Sequence, residues 1–136
     1  KAGNEVKQFN AEKSDLDGSV FVCWFQGMEK APELVKSCYS ALTKNAGKHK
    51  VVLLTDDNVF DIVKLPDHVL QKYKDGKITK THITNLIRTS LLYLYGGLWI
   101  DSTIFTSEPL SEEIFTLPFY TIKRNPSSKY YIPKGR

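Results

Sequence analysis

Cysteine is scarce: Cys23 and Cys38 are the two in 136 residues. That excludes the disulfide framework on which small secreted domains rely, and makes the reducing cytoplasm the expected compartment. Both thiols read as small buried hydrophobes: Cys23 lies in an apolar run, and Cys38 shares a helical face with Leu34, Val35 and Leu42. Long apolar runs are missing too, since none approaches the roughly 20 residues that span a bilayer. The chain opens at Lys1 with no initiating methionine and no basic, apolar leader, so it reads as a fragment. Repeats and low-complexity tracts are lacking, which leaves nothing to divide the chain into two domains.

Charge of one sign is only mildly in excess, with 19 Lys and Arg against 15 Asp and Glu, a net charge of +4. The lysines are scattered and make no basic stripe with interleaved aromatics, so nucleic acid is not an expected partner. A mild positive field draws phosphate-bearing substrates and anionic lipid. Peripheral association with the inner face of a membrane is therefore compatible with the composition.

What is present is an alternation of strand and helix signals. Val20 to Gln26 (VFVCWFQ) is short, β-branched and aromatic, as expected of a buried strand. Pro32 suits a helix start, and the helix is expected to run to about Asn45 and stop at Gly47. Val51 to Thr55 is a second strand, completing a parallel βαβ unit. Short helical pieces follow at Asn58–Val63 and His68–Tyr73, then a long helix from Thr79 to Tyr95 that ends at Gly96-Gly97. Leu98 to Phe105 (LWIDSTIF) reads as a third strand, Glu112 to Thr116 as one helical turn, and Phe119 to Lys123 as a short fourth strand. Residues 1–17 are expected to form a loose lead-in, and 18–136 a single α/β domain.

Two features carry candidate chemistry. At 100° per residue, Ile83, Leu86, Ile87, Leu91 and Leu94 share one face of the long helix, and Thr81, Asn85, Arg88 and Leu92 share another. Asn85 and Arg88 are one turn apart and can reach a common point. The planar guanidinium fork matches phosphate or sugar oxygens, although a solvent-facing polar side explains the same spacing. Asp101 is the second feature, a carboxylate inside an apolar strand pattern. A buried carboxylate needs a cation, donated hydrogen bonds or water at the sheet edge. Either it faces a ligand at the carboxyl end of its strand or it caps the strand end.

Three segments together, FVCWFQGMEKAP (21–32), ITKTHITNLIR (78–88) and LLYLYGGLWIDSTIF (91–105), resemble the glycosyltransferases of capsular polysaccharide synthesis. These are related to the DXD-motif sugar transferases of glycosyltransferase family 32. The resemblance covers about Val20 to Arg136. It implies a GT-A fold, a Rossmann-like, mostly parallel sheet flanked by helices, truncated here on its C-terminal side. It also implies transfer of a sugar from a nucleoside diphosphate donor, UDP-linked by expectation, to a saccharide or lipid-linked acceptor, with Mn²⁺ or Mg²⁺ as cofactor. Trp24 matches the aromatic expected near the base, with Gln26 following it, and core packing remains an equal reading of Trp24. Arg88 matches the arginine expected on the donor sugar or phosphate. Asp101 matches the first DXD carboxylate, and Gly96 and Gly97 the tight turn that delivers it. Asn85 stands where the broader group carries Asp, and Thr103 stands at the third DXD position. That leaves Asp101 as the metal ligand, with Thr103 as the second candidate ligand. A non-catalytic nucleotide-sugar-binding or scaffolding domain of the same descent is the alternative reading, and a basic module for phosphorylated partners is a further one.

Overall fold

The computed structural model describes residues 14–118 and 120–121. The expected fourth strand includes Phe119, Ile122 and Lys123, which lie outside the described residues, as do residues 1–13 of the lead-in. Three strands form a parallel sheet in the order β2-β1-β3, with β1 at Val20–Cys23, β2 at Val51–Leu54 and β3 at Leu98–Trp99. Val20 pairs with Val51 on one side and with Leu98 on the other. Helix α1 (Glu33–Asn45) joins β1 to β2. Three helices lead on to β3: α2 (Val59–Ile62), α3 (Asp67–Lys74) and α4 (Lys80–Tyr95). A last short helix, α5, covers Glu112–Thr116. The α/β, parallel, helix-flanked class expected from the sequence is what the chain adopts.

Strand side chains alternate between two cores, as the two-residue period of a strand requires. Phe21, Val52 and Leu54 pack with Val59, Val63, Ile83, Ile87 and Leu91 on one face of the sheet. Val20, Val22 and Ile100 pack with Leu42 and Ala46 on the other. The result is a helix–sheet–helix sandwich, with β1 central and Val20 and Phe21 fully buried.

Several boundaries differ from expectation for physical reasons. The first strand stops at Cys23 rather than Gln26. Trp24 still donates to the Leu54 carbonyl, but Gly27 then closes a turn onto the Trp24 carbonyl. The third strand stops at Trp99 rather than Phe105. Among the described residues it pairs only with β1, and after Ile100 donates to Phe21 the chain turns, with Ile104 donating to the Asp101 carbonyl. Asp101 is therefore exposed beyond the strand end, not buried within it.

On α4, only Ile83, Ile87 and Leu91 are buried, while Leu86 and Leu94 are 43% and 53% exposed. The sheet takes the centre of the apolar face and leaves its edges to solvent. Leu34 is likewise exposed, so Cys38 is buried with Val35 and Leu42 and without it.

At the amino ends of the strands a polar clamp secures α5. The His49 ring stacks on Phe115 with centroids 3.5 Å apart. Its Nδ1 lies 2.9 Å from the Gly18 carbonyl and its Nε2 3.0 Å from Glu112, which also pairs with Lys48 at 3.4 Å. Asn45, at the end of α1, donates to the Thr106 carbonyl, and Leu110 donates to the Asn45 carbonyl. Together these contacts tie the 106–116 segment under the sheet.

Candidate functional site

Strand order places the site. From the central β1 the chain passes to β2 on one side, and it later returns to β3 on the other. In an open parallel sheet, that reversal leaves a crevice beyond the carboxyl ends of the diverging strands. A cavity of about 610 Å³ occupies this position. Its walls are the chain leaving β1 (Cys23 to Gln26), one face of α4, and the turn after β3 (Asp101 to Thr103).

The cleft gathers Trp24, Gln26, Asn85, Arg88, Asp101 and Thr103 from three distant segments. Gly96 and Gly97 are not among them. They line an adjoining groove of about 880 Å³, which shares Arg88, Trp99 and Asp101 with the cleft. Both glycines hold positive φ, 63° and 78°. A Cβ on Gly97 would collide with the Ser19 carbonyl oxygen, so only glycine lets the end of α4 cross the start of β1 here. Leu92, assigned to the polar side of the helix, also faces that groove.

Within the cleft the polar groups are oriented by one another. Asn85 Oδ1 accepts a 2.9 Å hydrogen bond from an Arg88 Nη, fixing one edge of the guanidinium. Trp99 Nε1 donates to Asp101 Oδ1 at 3.0 Å, holding the carboxylate at the cleft wall and leaving Oδ2 without a partner among the described residues. The Trp24 ring lines the cleft, but its Nε1–H is buried and has no acceptor among the described residues. No carboxylate lies within salt-bridge distance of Arg88 among the described residues, whose three ion pairs are elsewhere.

Cys23 is half-buried at the cleft floor rather than fully enclosed. Burial, helped by the nearby Asp56 carboxylate, pushes its thiol up to about 11. It therefore stays protonated at neutral pH and is a poor nucleophile.

Other lining residues went unassigned in the sequence reading: Phe25, Lys80, Thr84, Trp99 and Ser102. A signal for two of them existed. Thr84 lies four positions before Arg88, one turn away on the same side of the helix. Trp99 lies two before Asp101, on the same side of an extended chain. Phe25 and Ser102 occupy turns whose direction no periodicity encodes.

A divalent metal needs oxygen ligands, and the described residues contain no group of three or more His, Cys, Asp or Glu that could hold one. Among the described residues Asp101 is the single acidic one lining the cleft, and Thr103 lines it too. This donor set fits an ion whose remaining ligands come from phosphate oxygens and water, in the manner of Mg²⁺. It does not fit a self-sufficient protein cage.

The fold and cleft define an α/β protein with a cavity at the carboxyl edge of a parallel sheet, lined by an oriented arginine and an oriented carboxylate. Residues 2–136 match the family described as capsular polysaccharide synthesis protein, and the chain belongs to that family. Neither a curated protein nor a solved structure matches it. No helix among the described residues is long and apolar enough to cross a membrane.

Proposed function

We propose that the chain is a capsule-synthesis glycosyltransferase of GT-A type, or its donor-binding half. In this reading it moves a sugar from a UDP-linked donor to a saccharide or lipid-linked acceptor. The observation that carries it is the convergence of the Arg88–Asn85 pair and the Asp101–Trp99 pair on one cleft at the strand reversal. Transfer leaves negative charge on the departing diphosphate, and a preoriented guanidinium offsets that charge most strongly where water is excluded. Arg88 supplies this cation, and Asn85 keeps its fork aimed. The free oxygen of Asp101 takes a donor hydroxyl or a Mn²⁺ or Mg²⁺ ion, which when bound would neutralise the diphosphate. The Trp24 ring offers a stacking face for the base. The net positive charge suits work at the cytoplasmic face of a membrane, where lipid-linked acceptors lie.

A second reading, donor binding without turnover, has its own observation: among the described residues Asp101 is the single acidic side chain lining the cleft, and no second carboxylate there stands ready as a general base.

Both tryptophans of the chain, Trp24 and Trp99, line the cleft, so intrinsic fluorescence reports on its occupancy. Titration with UDP-glucose in the presence of Mn²⁺ should quench that signal saturably. Arg88→Ala and Asp101→Ala should each weaken binding about a hundredfold, as expected when one partner of a charged contact is removed. Their melting temperatures should stay at the wild-type value. Unchanged affinity in both variants would remove the site. Binding with no release of free sugar, in this chain and in a longer one, would favour the non-catalytic reading.

A further inference from the structure

A divalent ion needs several oxygen ligands, and the cleft has already committed the best of those it holds. Asp101 Oδ1 accepts from the Trp99 indole at 3.0 Å, and Asn85 Oδ1 accepts from Arg88 at 2.9 Å. What remains is one carboxylate oxygen, Asp101 Oδ2, together with the hydroxyls of Thr81, Thr84, Ser102 and Thr103 that line the same cavity. Asp56 and Asp57, beyond the end of β2, do not line it, and the sequence carries no Asp or Glu after Glu113. Charge points the same way. Among the described residues the charged side chains lining the cleft are Lys80, Arg88 and Asp101, two cations to one anion. Arg88 is held by a neutral amide and Lys80 stands 5.7 Å from the Phe25 ring centroid, so neither contact cancels a positive charge. A cavity with this balance repels a bare dication and attracts a polyanion.

We infer that the diphosphate is the first ligand of this cleft and binds without a metal ion, and that a divalent ion has no site here until phosphate oxygens complete its shell. This rests on the nucleotide-sugar reading above and sets the order in which that site fills. Two facing carboxylates would draw an ion into the empty cleft and present it to the diphosphate. Thr103 puts a neutral hydroxyl where the second carboxylate would stand, and the work of meeting the anion falls to Arg88, whose planar fork suits phosphate oxygens. The single free oxygen of Asp101 can then add one protein ligand to an ion that the diphosphate already holds.

The test reads the ion and the nucleotide separately, MnCl₂ by the EPR signal of free Mn²⁺ and UDP by tryptophan fluorescence. MnCl₂ added to the chain alone should keep its full free-ion signal. UDP in EDTA should quench the tryptophans saturably, and Mn²⁺ in place of EDTA should tighten that binding about ten- to a hundredfold, the usual size of a coupling between two ligands. Arg88→Ala should lose about a hundredfold of the affinity in EDTA, and Asp101→Ala should lose the gain from Mn²⁺. Alanine is the best helix former, so Arg88→Ala should fold. Capture of Mn²⁺ at Asp101 without UDP would overturn the order. Quenching by UDP with Mn²⁺ but not in EDTA would overturn the proposal and leave the nucleotide-sugar reading standing. Undiminished affinity of Arg88→Ala in EDTA would also overturn it, since the arginine would not be what meets the diphosphate. Failure of both UDP and UDP-glucose to bind wild type, with or without Mn²⁺, would overturn the nucleotide-sugar reading itself, and this inference with it.

Discussion

The chain holds two polar clusters at opposite ends of the same sheet, and they treat charge in opposite ways. Under the amino ends of the strands, Glu112 is answered by His49 and Lys48, and the His49 ring is sandwiched against Phe115. At the carboxyl ends, Arg88 and Lys80 have no carboxylate partner among the described residues, and Asp101 meets an indole N–H instead of a cation. Charges that satisfy each other hold a structure together. Charges kept apart, oriented by neutral neighbours and aimed into a cavity, are available to something that is not there. The amino-end cluster therefore reads as architecture, and the carboxyl-end cluster as the candidate site.

The two regions meet at Gly18 and Gly97. The Gly18 N–H donates to the Tyr95 carbonyl at the end of α4, while its own carbonyl faces His49. Gly97, at φ 78°, crosses against the Ser19 carbonyl. Gly97→Ala should produce the largest effect of any substitution considered, since it adds a collision with backbone to a disfavoured φ. A loss of about 3 kcal/mol or more is expected, visible in the midpoint of urea unfolding. Gly96→Ala, with positive φ but open space around it, should lose only about 1–2 kcal/mol. Equal losses at the two positions would mean that backbone conformation alone, and not the crossing, sets the requirement for glycine.

His49→Ala tests whether the amino-end cluster is only architecture. The side chain is mostly buried, at 12% exposure, and both of its ring nitrogens face acceptors, the Gly18 carbonyl and the Glu112 carboxylate. Removing it should cost about 1–2 kcal/mol from lost hydrogen bonds and stacking. Donor affinity measured on the folded variant should not change. A fall in affinity at full foldedness would show that the clamp shapes the cleft through Gly18 and α4, and the division between the two regions would fail.

Legibility followed the same line. Helix limits were readable because α4 has a Thr79 cap and a Gly96 stop, and the three strands were readable from short apolar runs. Where the strands end was not, because the chain turns at Trp24 and at Asp101 while the apolar pattern continues regardless. Leu86 and Leu94 looked interior by angle alone, yet the three strands among the described residues cover a narrower stripe than the helix offers. Arg88, Asn85 and Asp101 were found because their types were unusual for their places. Lys80 was not, because a lysine in the first turn of a helix is ordinary until Phe25 and the cleft wall are seen across from it. The His49–Glu112 clamp joins residues 63 apart in sequence and left no local trace.

Acid titration offers the gentlest test of the contrast. The His49 hydrogen bond, and beyond it the charges of His49 and Lys48, hold the Glu112 carboxyl below its ordinary range against a partial loss of hydration. A carboxyl depressed in the folded state contributes stability that is fully present above its unfolded value and is lost as pH falls through the folded one. The melting temperature of wild type should therefore exceed that of Glu112→Gln just above the ordinary carboxylate range, and the two should converge in stronger acid. Because Glu112 is largely exposed, the difference should be small, of order 1–2 °C, and high salt should reduce it further. A gap that persists undiminished at low pH would assign Glu112 a packing role. The same scan run on Arg88→Ala should show no such carboxyl-linked step, since Arg88 is paired with the neutral amide of Asn85. A step there would mean that the cleft arginine has an acidic partner, and that the cleft is as self-satisfied as the clamp.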